Sequence, residues 1–491
     1  MKMRPSSKYF LKKDQLLEEA IEDAIFETPE VKDKVVVKKE IRKEERKNPR
    51  ATAWYHDYVL SPKLDNHKFL KKFRLRFRMP YMSYQQLLCE MNNHDVFSRW
   101  HDEKKDAIGR KSAPLSLLLL SALRYLGRGW TFDDLYEVTG ISDEVQRVFF
   151  HIFIDYGSTE LYKKHVMDCM YKNVHTSDYT RLGFNGAVAS MDGVHITTER
   201  CEASKRNLHL AHKSSLTSRA YNVSCNHRKQ ILNSTRGAPC TFNDKSLFLR
   251  DEFAMDVKTG NKFGDNKFKL YRYDESNEII TQEFQGAYLI VDNGYFEWSC
   301  MVAPIKNTNS RKQIRFSEYL ESTRKDIECA FGILKGRWRV LKTGVRLHGV
   351  LKCDQVFFTC LALHNMLIEV DGLSDEGLWR GEWGLHDNIA DVLNHVPETI
   401  LRLLNPDKLR EYDCSVIGSN TEGYQSIKAK QPLAYSNVPI DIKSLSFETF
   451  MNELIIHFNI CFEKRILKWR VHNKSTGFFA TDLNQILNNV Y

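Results

Sequence analysis

An α/β protein with a helical region ahead of its sheet follows from three stretches of this 491-residue sequence. Two are short apolar runs that end in an acid, with glycine next or one residue later: Ala189–His195 (ASMDGVH) and Ala287–Tyr295 (AYLIVDNGY). Each reads as a buried strand whose terminal acid, Asp192 or Asp292, is exposed by a glycine turn. The third is Arg324–Leu341, where Ile327, Phe331, Leu334, Trp338 and Leu341 recur at helical spacing and make one apolar stripe. Beside that stripe run Arg324, Glu328, Gly332, Lys335 and Arg339, one carboxylate in a row of cations.

Glu328 alone fits two readings. It pairs with Arg324 one turn back on a surface helix, or it belongs to a site. The two aspartates give the second reading its chemistry. An acid after one strand, an acid after another and a glutamate on a helix make the arrangement of a two-metal phosphoryl-transfer centre. Hard divalent cations such as Mg²⁺ take carboxylate oxygens. Two of them about 3.5–4 Å apart clamp the attacking and leaving oxygens of an in-line displacement.

Four motifs occur in order: Ser190–Ile196 (SMDGVHI), Leu289–Tyr295 (LIVDNGY), Asp326–Trp338 (DIECAFGILKGRW) and Leu363–Asn365 (LHN). Together they resemble the DDE transposases of the PIF/Harbinger superfamily, including plant transposon proteins, over roughly residues 185–370. Glu328 follows Asp292 by 36 positions. The resemblance places a catalytic, metal-binding triad on Asp192, Asp292 and Glu328. It implies an RNase H-like mixed-sheet catalytic domain preceded by a helical domain, and DNA cutting and joining with two Mg²⁺ or Mn²⁺ ions. It also implies transposon terminal repeats in duplex DNA as partner, a Myb-like partner protein and a nuclear location. Asn293 departs from the small residue common after the second family aspartate. A domesticated DNA-binding relative without transposition activity is the alternative, and a scaffold built on residues 373–491 is a second.

Composition fits these readings. The chain is 42% hydrophobic and 27% charged, and its net charge of +9 suits a polyanion partner. Eleven scattered cysteines without a CxxC pair read as a reduced, intracellular chain. Cys201, His209, His212, Cys225 and His227 match no standard zinc-finger spacing. The start carries no apolar signal region, and the apolar run Leu115–Leu123 is too short to span a bilayer. No membrane partner is expected.

In chain order, residues 1–60 form a charged tail, with a short acidic amphipathic helix over Leu16–Phe26 and a mixed-sign run over Lys38–Lys47. That run reads as a solvated helix or disorder, and as a weak nuclear-import signal. Residues 61–180 form a helical domain. Within it, Lys68–Met79 interleaves cations with Phe69, Phe73 and Phe77, expected as an alternating strand or extended arm facing phosphate. Helices follow from Ser83 to Met91 and after Pro114. Thr131–Asp134 resembles a capping box, with its helix ending at Gly140 before another over Asp143–Phe153. This last pair fits a helix-turn-helix with Gln146, Arg147 and His151 facing a DNA groove, and equally an ordinary three-helix bundle. Asp143 and Glu144 at that helix start oppose phosphate.

Residues 185–372 are the catalytic candidate, with a strand pair at Arg219–Asn226 and Gln230–Thr235 and an insertion at about 250–285. Asp244 reads as a turn cap with a lesser role at the site. Lys335, Arg337 and Arg339 are expected on DNA phosphates, and His364 and Asn365 in packing or supporting polar contacts. Residues 373–491 read as mostly helical, with Trp379 and Trp383 in a loop, and amphipathic helices at Asp387–Leu404 and Phe447–Arg470. Their expected tasks are packing on the catalytic domain, homo-oligomer formation or DNA contact.

Overall fold

A computed structural model describes residues 47–101, 104–105, 109, 111–210, 216–371, 439–464 and 466–467. The helices expected over Leu16–Phe26 and Asp387–Leu404, the tryptophans Trp379 and Trp383, and most of the Lys38–Lys47 run lie outside these residues.

The cation-aromatic stretch is a helix, α1 (His67–Phe77), rather than a strand. Phe69, Phe73 and Phe77 recur every fourth residue, which is one face of a helix, and Asn66 caps the start by accepting the amides of Lys68 and Phe69. Phe73 and Phe77 are buried against Tyr58, Tyr81 and Tyr84. Lys68, Lys72 and Arg76, also four apart, are left more open to solvent. Next come α2 (Tyr81–Asn92), α3 (Leu115–Arg128), α4 (Phe132–Thr139) and α5 (Asp143–Tyr156). Thr131 and Asp134 form the capping box expected of them, and Gly140 ends α4 in the left-handed conformation that glycine adopts cheaply.

The main sheet has the order β3-β2-β1-β7-β8, from β1 (Ala187–Thr197), β2 (Ser218–Cys225), β3 (Ile231–Ser234), β7 (Tyr288–Ile290) and β8 (Met301–Val302). A short β4 (Ala238–Pro239) pairs with β2. β1, β2 and β3 are antiparallel neighbours, whereas β1, β7 and β8 run parallel. The sheet and its helices make a mixed α/β fold. Between β4 and β7 come α6 (Asp244–Phe248), α7 (Glu252–Thr259) and a hairpin of β5 (Lys267–Tyr273) with β6 (Ile279–Gln285). The polar stretch at 250–285 is therefore structured.

Helix α8 (Arg311–Arg337) lies on β1, with Ile327, Ala330 and Leu334 buried. It stops at Arg337, and buried Trp338 continues the core beyond its end. A turn of helix, α9 (Val340–Thr343), and the largely apolar α10 (Val350–Val370) follow. After residue 438, β9 (Ile440–Asp441) adds to β6, and α11 (Phe447–Glu463) packs on β5 and α8 through Phe450, Leu454 and Phe458. His457 inside α11 accepts the Tyr271 amide of β5 at 2.9 Å. The part of the expected Phe447–Arg470 helix carrying Arg465, Lys468 and Arg470 lies outside the described residues. No described helix is long and apolar enough to cross a membrane.

Candidate functional site

Strand register brings the two aspartates together. Ser190 of β1 pairs with Ile290 of the parallel β7. Asp192 lies two residues farther along β1 and Asp292 two residues past the end of β7, and the two acids are near enough for Asp292 to push the Asp192 carboxyl up. Here β1 meets α8, where the Ser190 hydroxyl reaches the Thr323 carbonyl at 3.4 Å. Asp192 sits within β1 rather than at its end, because pairing with β2 continues to Thr197. Its Oδ1 accepts the Gly193 amide at 2.8 Å, and Asp292 Oδ1 accepts the Gly294 amide at 2.7 Å.

The glycines after both acids have a cause that lies outside their own motifs: a third carboxylate, Asp244, at the first turn of α6. A Cβ on Gly294 would stand 2.5 Å from Asp244 Oδ2 and 2.9 Å from Asp292 Oδ1, and one on Gly193 would stand 3.0 Å from Asp244 Oδ1. Neither glycine has a left-handed backbone, so what a side chain there would meet is the Asp244 carboxylate, which would have to move aside, most at Gly294. Asn243, not Asp244, caps α6, by accepting the Ser246 amide. Asp244 therefore stands in the carboxylate cluster rather than serving as the turn cap.

Burial pushes Asp192 up to about 6, against the pull of Arg324 and the Gly193 amide and with the help of Asp292 and Asp244. Asp244 is also raised, by burial and then by Asp292. Asp192 and Asp244 thus sit near Asp292 in a half-buried space that disfavours their charged forms.

Glu328 joins them through Arg324. The arginine, largely buried, contacts Glu321 at 2.6 Å, Glu328 at 2.6 Å and Asp192 at 3.3 Å. The expected Arg324–Glu328 pair is present, but the same guanidinium also reaches the aspartate cluster. Among the described residues, no three His, Cys, Asp or Glu side chains already converge as a metal cage. The donors themselves are carboxylate oxygens in excess of nearby cations, a chemistry that suits a hard divalent ion.

Behind the cluster, a buried network fixes the Asp292 loop. The Tyr295 hydroxyl donates to Asn222 Oδ1 at 2.6 Å, and Asn222 Nδ2 donates to Asp251 at 2.7 Å. Asp251, pushed up to about 6 by burial, also caps α7 through the Ala254 amide. Its position just ahead of a helix is the one signal of it in the sequence. His364 and Asn365 hold the β2–β3 hairpin: His364 Nε2 lies 2.9 Å from the Lys229 carbonyl, and Asn365 bonds both the amide and the carbonyl of Ile231.

Of the expected phosphate contacts, Arg339 is exposed, and Lys335 is half-buried with its ammonium donating to the His195 carbonyl at 3.2 Å. Arg337 is a correction. It is 4% exposed and ion-paired with Asp371, which also holds Arg74, so it ties the end of α8 to α1 and to the residue after α10 rather than standing open at the surface. Gln146 is a second correction. It is 2% exposed, and its amide donates to Ile141 O at 2.7 Å and Thr139 Oγ1 at 3.3 Å, bracing the α4–α5 turn. Arg147 is exposed but paired with Asp143 and Glu144 of its own helix. His151 is half-buried, and burial holds its imidazole below the usual range. Of the zinc-like set, His212 lies outside the described residues; His209 faces the Ser218 carbonyl, His227 pairs with Asp326, and Cys225 is buried in β2.

A basic surface stands elsewhere. Arg124 and Arg128 of α3 donate to the carbonyls of Arg76 and Leu75 at the end of α1. Burial lowers both, and neighbouring cations add to it: Arg128 and Arg76 on Arg124, and Arg339 on Arg128. Among the described residues none of these four arginines has a carboxylate partner. They connect the cations of α1 to the end of α8.

A family model for plant transposon proteins matches residues 163–375. No curated protein and no solved structure matches. The match supports a transposon-derived protein with a transposase-related function, and it spans all four acids: Asp192, Asp244, Asp292 and Glu328.

Proposed function

We propose that the chain is a DDE-type transposase or endonuclease of the PIF/Harbinger kind that cuts and joins DNA phosphodiester bonds. One observation carries this reading: parallel pairing of β1 with β7 brings Asp192 near Asp292, beside the helix that bears Glu328. The strand order, with three antiparallel strands followed by two parallel ones, favours an RNase H-like sheet. The residue range 185–372 is then the nuclease domain, residues 61–180 a DNA-binding helical domain and residues 373–491 an accessory region.

Asp192, Asp292 and Glu328 would hold two Mg²⁺ or Mn²⁺ ions, with Asp244 as a further oxygen donor. When bound, such ions activate the attacking hydroxyl and stabilise the leaving 3′-oxygen. The protein's own work is positioning and charge. Arg324, paired with Glu321, Glu328 and Asp192, would have to give up Glu328 for it to hold an ion, and would stay paired with Glu321. Lys335 and Arg339 bind phosphates next to the cut, and the cations of α1 and α3 carry the duplex away from it. Gln146, Arg147 and Arg337 take no part in holding DNA. Terminal repeats in duplex DNA, a nuclear location, a Myb-like partner and a homo-oligomer complete the proposal.

The test is nicking of supercoiled DNA with Mn²⁺. Wild type should nick, while Asp192→Asn, Asp292→Asn and Glu328→Gln should bind DNA without cutting it. Nicking by Glu328→Gln at the wild-type rate would remove Glu328 from the triad. The Arg324–Glu328 pair favours the second reading, a domesticated DNA-binding protein. In that case wild type binds DNA and never cuts it.

A further inference from the structure

The polar chain behind the acid cluster has a direction. The Tyr295 hydroxyl gives its one hydrogen to Asn222 Oδ1 at 2.6 Å, which leaves Asn222 Nδ2 to donate to Asp251 Oδ2 at 2.7 Å. Asp251 Oδ1 accepts from Asn233 Nδ2 at 2.8 Å and from the Ala254 amide at 3.0 Å. All three partners of Asp251 are donors, so its carboxylate form completes the chain. Tyr295, Asn222 and Asp251 are all buried, where a hydrogen-bonded group has no water to turn to and holds its place.

This chain ties together the two segments that carry the aspartates. Asn222 stands on β2 directly opposite Gly193, the neighbour of Asp192 on β1. Tyr295 ends the turn that begins at Asp292, whose Oδ1 accepts the Gly294 amide at 2.7 Å. β7 stops at Ile290, two residues short of Asp292, so the turn takes its anchor from the Tyr295 side chain. The ring packs in the apolar cluster with Met191, Val291 and Phe248, and the hydroxyl bond fixes where it sits there.

We propose that Tyr295, held through Asn222 by Asp251, is a positioning residue that sets the spacing of Asp292 from Asp192 and so makes the acid cluster discriminate against Ca²⁺ in favour of smaller divalent ions. The inference rests on the nuclease reading of that cluster and deepens it by naming what selects the ion. Mg²⁺ demands a near-ideal octahedron of oxygens at about 2.0–2.1 Å, whereas Ca²⁺ takes six to eight oxygens at about 2.3–2.6 Å in looser geometry. Carboxylates must therefore move apart to admit Ca²⁺. A turn pinned into the core by buried hydrogen bonds resists that movement, and an unpinned turn allows it. Groups that orient metal ligands from behind typically change metal affinity by about 10–100-fold when removed.

The test is metal binding by the full chain without DNA. Bound Mn²⁺ is read from the loss of the free-ion paramagnetic resonance signal, and Mg²⁺ or Ca²⁺ is then added to displace it. Tyr295→Phe keeps the ring and removes the hydroxyl. It should bind Mn²⁺ about tenfold more weakly and shift the ratio of Ca²⁺ to Mg²⁺ affinities about tenfold towards Ca²⁺. Asp251→Asn, which puts an amide where three donors converge, should shift the ratio in the same direction, and the double variant should shift it no further than the larger single change. Asn233→Ala removes a donor from Asp251 outside the Tyr295–Asn222 chain, so it should melt lower and keep the wild-type ratio. A folded Tyr295→Phe protein with the wild-type ratio overturns the proposal. An Asn233→Ala protein whose ratio moves as far also overturns it, because general loosening would then be the cause. Wild type that binds no Mn²⁺ sinks the nuclease reading together with the proposal, whereas wild type that binds Mn²⁺ with a ratio untouched by Tyr295→Phe sinks the proposal alone.

Discussion

Asp326 and Glu328 stand two residues apart on α8, yet they belong to opposite kinds of site. Asp326 is buried between His227 and the Lys229 ammonium, the latter at 2.8 Å. Burial would raise it, but its contacts with His227 and the Lys229 ammonium outweigh burial and hold its carboxyl below the usual range. Around Asp192 and Glu328 the cation is Arg324, which also serves Glu321, while Asp244 and Asp292 have no ion pair with it, and Asp192 and Asp244 are raised. One acid is fully compensated and ties a hairpin to a helix. The others carry negative charge that the protein leaves unbalanced, which is how perturbed groups at functional sites differ from structural pairs.

The comparison can be broken most severely through activity. Asn at Asp192 or Asp292, or Gln at Glu328, should abolish Mn²⁺-dependent nicking, and pairs of these changes should do no more than one, since the carboxylates act together. Asp326→Asn should instead act on stability. Removing one partner of a buried ion pair costs about 3–5 kcal/mol, read from denaturant unfolding. If it unfolds no more easily than wild type, the contrast between the clusters fails.

Acid sharpens the same contrast at smaller amplitude. A carboxyl lowered by folding contributes stability above its unfolded value and loses it as pH falls through the folded one, so the Asp326 contribution fades in acid. For Asp192, raised from 3.8 to about 6, the sign reverses: metal-free stability falls as pH rises through that window. Melts of the chelator-treated protein between these values should show a downward slope that Asp192→Asn flattens.

The basic surface offers a further, smaller test. Replacing Lys68, Lys72 and Arg76 by Gln should lower the slope of log affinity against log salt by about 1 for each phosphate that is no longer neutralised. Arg147→Ala, on a helix whose charges already pair internally, should leave DNA affinity and stability within about 0.5 kcal/mol of wild type. A drop in sequence discrimination by Arg147→Ala would restore α5 as a groove-reading helix.

What is legible in the sequence depends on local signals. The capping box at Thr131–Asp134, the β2–β3 pair and the Arg324–Glu328 contact are short-range and stand where spacing places them. The helix over Lys68–Phe77 reads as a strand because alternating cations mimic one, while the period-four phenylalanines set the buried face. Asp244 reads as a mere turn cap because its approach to Gly193 and Gly294 joins segments far apart in the chain. Gln146 looks free because its partners Thr139 and Ile141 meet it only once the α4–α5 turn closes, and Arg337 because Asp371, 34 residues on, reaches it only through tertiary packing.

The most direct measurement melts wild type, Asp192→Asn and Asp326→Asn side by side, with chelator and with Mn²⁺. Two carboxylates held about 4 Å apart repel by about 4 kcal/mol at an effective dielectric of about 20, and a cation bound between clustered acids removes repulsion of that kind. Wild type should therefore melt higher with Mn²⁺. Asp192→Asn should match or exceed wild type in chelator and lose the Mn²⁺ gain, whereas Asp326→Asn should melt lower in both and keep it. A wild type indifferent to Mn²⁺, with Asp192→Asn as destabilised as Asp326→Asn, would contradict the account and make the cluster an ordinary ion-pair network.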